Sequence, residues 1–312
     1  MLTRRRLIES SAVVTAAVLL RRAEAAAGRR FTLDLCPSRI GVGAGQAKCI
    51  ELASQHGFES IEPYGTELAA MPEAEAKRIL QLLKSKELVW GAGGLPIQFR
   101  ESDSKFQADL KRFSEIAEVL RAFGVTRLGT WIMPCHNELT YLQNFKLHRK
   151  RLGEVAKVLE ANQLRLGLEY VGTKTLRMSK RFTFVHCLAE TRELLDAIDS
   201  KNVGLVLDSW HWHMAQEKVE DLLSLKAEDV VAVDINDAPK GLAYDEQIDN
   251  QRTLPAETGV IDIKAFLNAL VQIGYDGPVR AEPFSKALNA LDDEPAVAQT
   301  GEAMKKAFEL IS

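Results

Sequence analysis

From Phe31 onward, short apolar runs of four to six residues alternate with stretches of ten to twenty in which apolar positions recur every three or four. The short runs predict eight strands: 31–36, 60–63, 88–91, 127–132, 165–170, 203–208, 230–235 and 279–282. The clearest helical pattern is 105–123, where Phe106, Leu110, Phe113, Ala117, Leu120 and Phe123 share one face. Gly57, Gly124 and Gly274 each stand between such a stretch and the next strand, as expected of residues that end a helix and return the chain to a sheet. Eight strand–helix units in about 280 residues predict a single-domain α/β fold, a (β/α)8 TIM barrel over residues 31–312. A doubly wound open sheet is the alternative, because a strand count does not prove closure.

Four of the predicted strands end in an acid: Glu169, Asp208, Asp234 and Glu282. A carboxylate at the end of a buried strand is costly unless paired. In a parallel barrel these ends meet on one rim, where active sites are built. Four oxygen donors gathered there point to a divalent metal, whereas each acid taken singly is as well explained by a structural salt bridge or a helix cap. Asp208 carries more information, because Ser209-Trp210-His211-Trp212-His213 follows it and a D-x-x-H step lets His211 bend over the same rim. Trp210 and Trp212, flanking His211, are candidates for a wall against a sugar ring, while Trp90 and Trp131 fit a core role as well. Asp237, before Ala-Pro, reads as a turn former or as a group orienting a ligand. The glycines of 41–45 lack G-x-G-x-x-G spacing and read as a flexible turn, and no G-x-S-x-G nucleophile appears.

Net charge is −3, with no basic stripe interleaved with aromatics, so nucleic acid is not an expected partner. The first 25 residues differ in kind. Arg4-Arg5-Arg6-Leu7-Ile8 precedes the apolar stretch 11–20 and then Ala23-Glu24-Ala25, which resembles a twin-arginine export signal with a small-x-small cleavage site. About ten apolar residues are too few for a permanent anchor, so membrane contact is expected only during export to the periplasm. Removing residues 1–25 takes away five arginines and two glutamates and leaves a net charge of −6. The four cysteines lack CxxC spacing and are expected as free thiols, although one disulfide is possible.

The strand-end acids, Asp208-x-x-His211, and Ile273-Gly-Tyr-Asp-Gly-Pro-Val-Arg-Ala-Glu282 together resemble the xylose isomerase-like sugar phosphate isomerase/epimerase superfamily. The resemblance spans the chain after residue 25 and is strongest from Glu169 to Phe284. It implies a barrel that holds one divalent ion with Glu169, Asp208, Asp234 and Glu282. It also implies His211 and Arg252 as substrate contacts. Asp234 departs from the family's usual histidine. An all-carboxylate set favours Mn²⁺ or Mg²⁺ over Zn²⁺, unless His211 or His186 enters the shell or the metal has been lost. The implied chemistry is proton abstraction beside a carbonyl through an enediolate, with Glu169 and Glu282 as base and acid. Rivals are a keto-sugar or keto-inositol dehydratase on the same site and an exported, metal-poor carbohydrate-binding barrel. A DNA-repair endonuclease would need more histidines and a basic face. Lys174, Arg177, Lys240 and Lys286 in rim loops leave open whether the substrate is phosphorylated.

Overall fold

The computed structural model describes residues 28–312, so the export segment proposed for residues 1–25 lies outside the described residues. Nine parallel strands form one sheet: β1 (Thr32–Leu35), β2 (Ser60–Ile61), β3 (Val89–Trp90), β4 (Ala92–Gly94), β5 (Arg127–Trp131), β6 (Arg165–Glu169), β7 (Val203–Asp208), β8 (Val230–Ile235) and β9 (Pro278–Ala281). Their order is β3-β2-β1-β9-β8-β7-β6-β5-β4. The two ends of that order, β3 and β4, are separated in the chain only by Gly91, so the sheet curls into a barrel. The strand expected over 88–91 is therefore present as β3, which pairs with β2, while a further strand that was not expected, β4, resumes after Gly91 and pairs with β5. Gly91 is required at the break. A Cβ there would lie 2.2 Å from Oδ1 of Asp34, a buried acid inside the barrel.

Alternation along each strand sorts side chains between two environments. Val233 and Ile235 of β8 face the main core, which the sheet shares with the surrounding helices. Ala232 instead joins Ala92 and Val206 in a small separate cluster. That inner space is lined by glycines as well: a Cβ at Gly167 would lie 2.6 Å from Val206, and one at Gly129 would lie 3.9 Å from Arg280 Nη2. Asp34, Asp234 and Arg280 occupy the volume that these small residues leave.

The helix Asp103–Ala122 illustrates the outer layer. Ser102 caps it by accepting from the Lys105 backbone N–H, and Phe106, Phe113, Ile116, Ala117 and Leu120 form its buried face. Gly124, at φ 82°, turns the chain back toward β5. All four cysteines are free. Among the described residues no helix is long and apolar enough to cross a membrane.

Candidate active site

Glu169 ends β6, Asp208 ends β7, Asp234 lies in β8, and Glu282 directly follows β9. All four are buried. Ligand atoms of Glu169, Asp208 and His211 lie within 4.8 Å of one another, as do those of Glu169, Asp234 and Glu282. The sequence-predicted acids therefore meet, with Glu169 common to both groups.

Asp208 serves two ends at once. Its Oδ1 caps the helix Ser209–Met214 by accepting from the Trp210 backbone N–H at 2.7 Å, and it also accepts from Asn236 Nδ2 at 3.0 Å. Its Oδ2 faces the site and accepts from Arg252 Nη1 at 2.7 Å. The cap and the site role are thus carried by different oxygens of one carboxylate. One turn on, His211 turns Nε2 toward the acids, 3.8 Å from Glu169 Oε1 and 3.7 Å from Asp208 Oδ2. Burial, reinforced by the Arg252 charge, pushes its pKa down to about 4, so the imidazole is neutral near pH 7. Gly172 permits this packing, since a Cβ there would lie 2.6 Å from the His211 carbonyl oxygen.

Arg252 is the hub. Nη1 donates to Asp208 and, at 2.9 Å, to Glu282 Oε2, while Nη2 donates to Asp249 Oδ1 at 3.0 Å and Nε to the Asp249 carbonyl at 2.7 Å. It sits inside the nest of acids with Nε, Nη1 and Nη2 all engaged by protein groups. Its loop is pinned by Asp237, which does more than set a turn. Asp237 pairs its backbone with Thr253, and its carboxylate accepts from the N–H groups of Thr258, Gly259 and Ile261.

Glu282 is held from both sides, since Oε1 lies 2.6 Å from Arg39 Nη1 and Oε2 accepts from Arg252. Burial pushes its carboxyl up to about 7, with Arg39 and Arg252 opposing the rise. Glu169 has no such cation at hand, and its Oε1 is buried without a hydrogen-bond partner. Burial, aided by the negative charges of Glu282 and Asp208, raises its pKa well above the ordinary carboxylate range. Phe284, two residues beyond Glu282, adopts a left-handed backbone at φ 43° and lays its ring against Arg252 and Arg39. A non-glycine residue held there marks a constrained rim.

Asp234 differs from its neighbours. Arg280, its partner in strand register, grips it with both arms of the guanidinium, Nε to Oδ1 at 2.5 Å and Nη2 to Oδ2 at 3.2 Å. Arg280 Nη1 continues across the barrel to the Ala92 carbonyl at 2.9 Å. Asp234 is within reach of a cation shared with Glu169 and Glu282, yet much of its charge is already answered.

A divalent ion fits this donor set. The ligands are hard oxygens, and Glu169 Oε1 is buried without a hydrogen-bond donor. Glu169, Asp208 and Glu282 are the residues that would hold it, with Asp234 or His211 completing the shell.

Two expected contacts are placed elsewhere. Trp210 is fully buried and donates its indole N–H to Thr173, so it supports Arg252 from behind and does not face a sugar. His186 is paired with Glu190 at 3.0 Å. Lys174 is paired with Asp245, and Lys240 and Lys286 are exposed. Asp249, Arg39 and Arg280 were not singled out from sequence. Arg280 was within reach of it, because strand alternation puts residue 280 on the same face as 282. Arg39 and Asp249 belong to loops whose return to the rim no local pattern encodes.

A family model described as xylose isomerase-like TIM barrel matches residues 50–307. An inosose isomerase of Bacillus velezensis is 24% identical over 259 residues, covering 80% of this chain and 86% of that protein. Shorter stretches match a 3-dehydroshikimate dehydratase of Pseudomonas aeruginosa (31% over 145 residues, 45% of this chain and 22% of that one). A ketose 3-epimerase of Arthrobacter globiformis matches at 30% over 98 residues, 31% of this chain and 29% of that one. Among solved structures, a xylose isomerase domain protein of Alicyclobacillus acidocaldarius superposes with a TM-score of 0.77 at 29% identity, covering 90% of this chain and 99% of its own. An IOLI protein with a bound zinc atom superposes at 0.74 with 20% identity, covering 89% of this chain and 98% of its own. The chain belongs to the xylose isomerase-like TIM barrel family and is an enzyme of the isomerase and epimerase kind.

Proposed function

We propose that this chain interconverts isomers or epimers of a sugar-like carbonyl compound, an inosose or a ketose, by moving a proton beside the carbonyl through an enediolate. The observation that carries this reading is the pairing of Glu169 and Glu282, two buried acids on one rim whose surroundings differ. Two carboxyl groups held in unlike environments are what removal and return of a proton require. Glu282, whose negative charge Arg39 and Arg252 favour, takes the proton at an Oε atom. Glu169, the carboxyl group across the rim, returns one. The neutral His211 ring lines the same rim, its Nε2 accepting from Arg252 Nη2 and lying 3.8 Å from Asp249. Glu169, Asp208 and Glu282 would hold a divalent ion, which would supply positive charge to offset the negative charge that develops on the substrate. The oxygen-rich donor set favours Mn²⁺ or Mg²⁺.

Elimination of water from a keto-inositol or keto-sugar begins with the same proton removal, and the dehydratase relative makes it the second reading. The two are separated by offering the purified protein a panel of ketoses and inososes with Mn²⁺ or Mg²⁺ and resolving the products by NMR. An isomer or epimer of unchanged mass supports the proposal. A product lighter by one water supports elimination, and turnover that survives exhaustive chelation removes the metal from it.

We further propose, from the paired arginines and apolar stretch of residues 1–25, export to the periplasm by the twin-arginine route. Fusing them to a reporter that is active only after export tests this, and Arg4, Arg5 and Arg6 replaced together by lysine should block it.

A further inference from the structure

Four arginines surround the acids, and three of them are spent on carboxylates. Arg39 meets Glu282, Arg252 meets Asp208, Glu282 and Asp249, and Arg280 meets Asp234. Arg100 is the exception. It lies on the loop after β4 and is half-buried, yet no carboxylate of the described residues is within ion-pair distance. Its guanidinium carbon sits 4.2 Å from the Phe99 ring and 4.2 Å from the Trp131 ring. Its one hydrogen bond runs from Nη2 to Thr130 Oγ1 at 3.3 Å, and its Nε has no partner.

Placing a guanidinium among rings is favourable as a cation–π contact, but those rings accept no N–H hydrogen bonds from its edge. A half-buried cation with one N–H buried and unpartnered is better served when an anion arrives to meet it. The position says which anion. Trp131, the last residue of β5, is in register with Glu169 and is 38% exposed, so Arg100 stands on the rim beside the acid with the free oxygen. The stacked rings leave the planar edge of the guanidinium as the outlet, and that fork matches a planar carboxylate in two parallel hydrogen bonds. Phosphate is as a rule gathered by several donors, such as backbone N–H groups or a helix N-terminus, and the contacts of Arg100 include none of these.

We propose that Arg100, clamped between Phe99 and Trp131, anchors a carboxylate on the substrate, which is therefore an acidic sugar or cyclic keto acid and not a neutral sugar. This rests on the isomerase reading above only for where the substrate's reacting carbon lies. Arg100 would act as a specificity-determining contact distant from the proton-transfer atoms.

The test is calorimetric titration of the purified, Mn²⁺-supplemented protein with matched probes: D-galacturonate and D-gluconate, their neutral counterparts D-galactose and D-glucitol, and D-glucose 6-phosphate. At least one acid is expected to bind about tenfold or more tightly than its neutral counterpart, the scale of a charge-assisted hydrogen bond. Arg100→Met should erase that difference, and Arg100→Lys, which keeps the charge without the fork, should keep part of it. Circular dichroism melting of both variants guards against a folding defect. Equal affinity for acid and neutral probes, no acid binding, or an acid preference unchanged in folded Arg100→Met would each overturn the proposal. Tighter binding of the phosphate ester would overturn the choice of carboxylate. Binding is read without turnover, so a protein that prefers the acid yet moves no substrate hydrogen would sink the isomerase reading and leave this one standing.

Discussion

The Glu169 side of the rim and the Glu282 side are built from the same residue type and differ in nearly everything around it. Glu282 is gripped by Arg39 and Arg252. Glu169 has an oxygen with no donor and its neighbours on the next strand are Trp131 and, behind it, Arg100. On the proposed mechanism this contrast would let one barrel set two carboxyl groups to opposite tasks without changing their chemistry. Loop arginines lower the cost of one charge, and no arginine is within ion-pair distance of the other acid among the described residues. Asp234, on a strand between them, is a third case. It is neutralised within the barrel by Arg280 and is the acid least available for chemistry.

The sharpest way to break this contrast is to remove either acid. Glu282→Gln and Glu169→Gln should each lower kcat by about 10²–10⁴-fold while the melting temperature holds, as expected for general acid–base groups. Near-wild-type turnover in either would take that residue out of the mechanism.

Next in size is the Asp234–Arg280 pair. Arg280→Ala strands a buried carboxylate and should destabilise the fold by about 3–5 kcal/mol in denaturant melts. The double change Asp234→Asn with Arg280→Met should recover most of that loss. A single variant as stable as wild type would mean that Asp234 is already served by something else, such as a bound ion.

Asp237 offers a gentler perturbation of the Glu282 side alone. Asp237→Asn gives up acceptors for the N–H groups of Thr258, Gly259 and Ile261 and so loosens the loop that carries Arg252. We expect kcat/KM to fall about 10- to 100-fold by misplacement, with little change in secondary structure by circular dichroism.

The smallest effect concerns Asp34. Burial pushes its carboxyl up to about 7, so the folded protein keeps a proton that the unfolded chain releases near pH ~4. Its contribution to stability is therefore lost as pH rises from about 4 to about 7 and is level above that. The melting temperature of Asp34→Asn relative to wild type, both chelator-treated, should increase across this window. A flat difference would mean that Asp34 is ionised in the fold.

Much of this was legible in the sequence because strand alternation and strand ends are local signals. The predicted strands over 203–208 and 230–235 match β7 and β8 residue for residue, and all four acids reach the rim. The third strand was expected only over 88–91, since nothing local says that pairing resumes at Ala92 after Gly91 yields to Asp34. Trp210 read as a wall because it flanks His211. The short helix after Asp208 turns it inward, where Thr173 takes its N–H. The arginines were the least legible part. Which acid Arg39, Arg252 or Arg280 neutralises depends on loops and strands up to 243 positions apart meeting at one rim.

One experiment bears on the proton-transfer pair directly: deuterium incorporation from solvent into a turned-over inosose or ketose, followed by NMR in wild type, Glu169→Gln and Glu282→Gln. Label should enter beside the carbonyl in wild type, persist without net product in Glu169→Gln, and vanish in Glu282→Gln. Product formed in deuterated water with no label at that carbon, or label undiminished in Glu282→Gln, would contradict a proton passed between these two carboxyl groups.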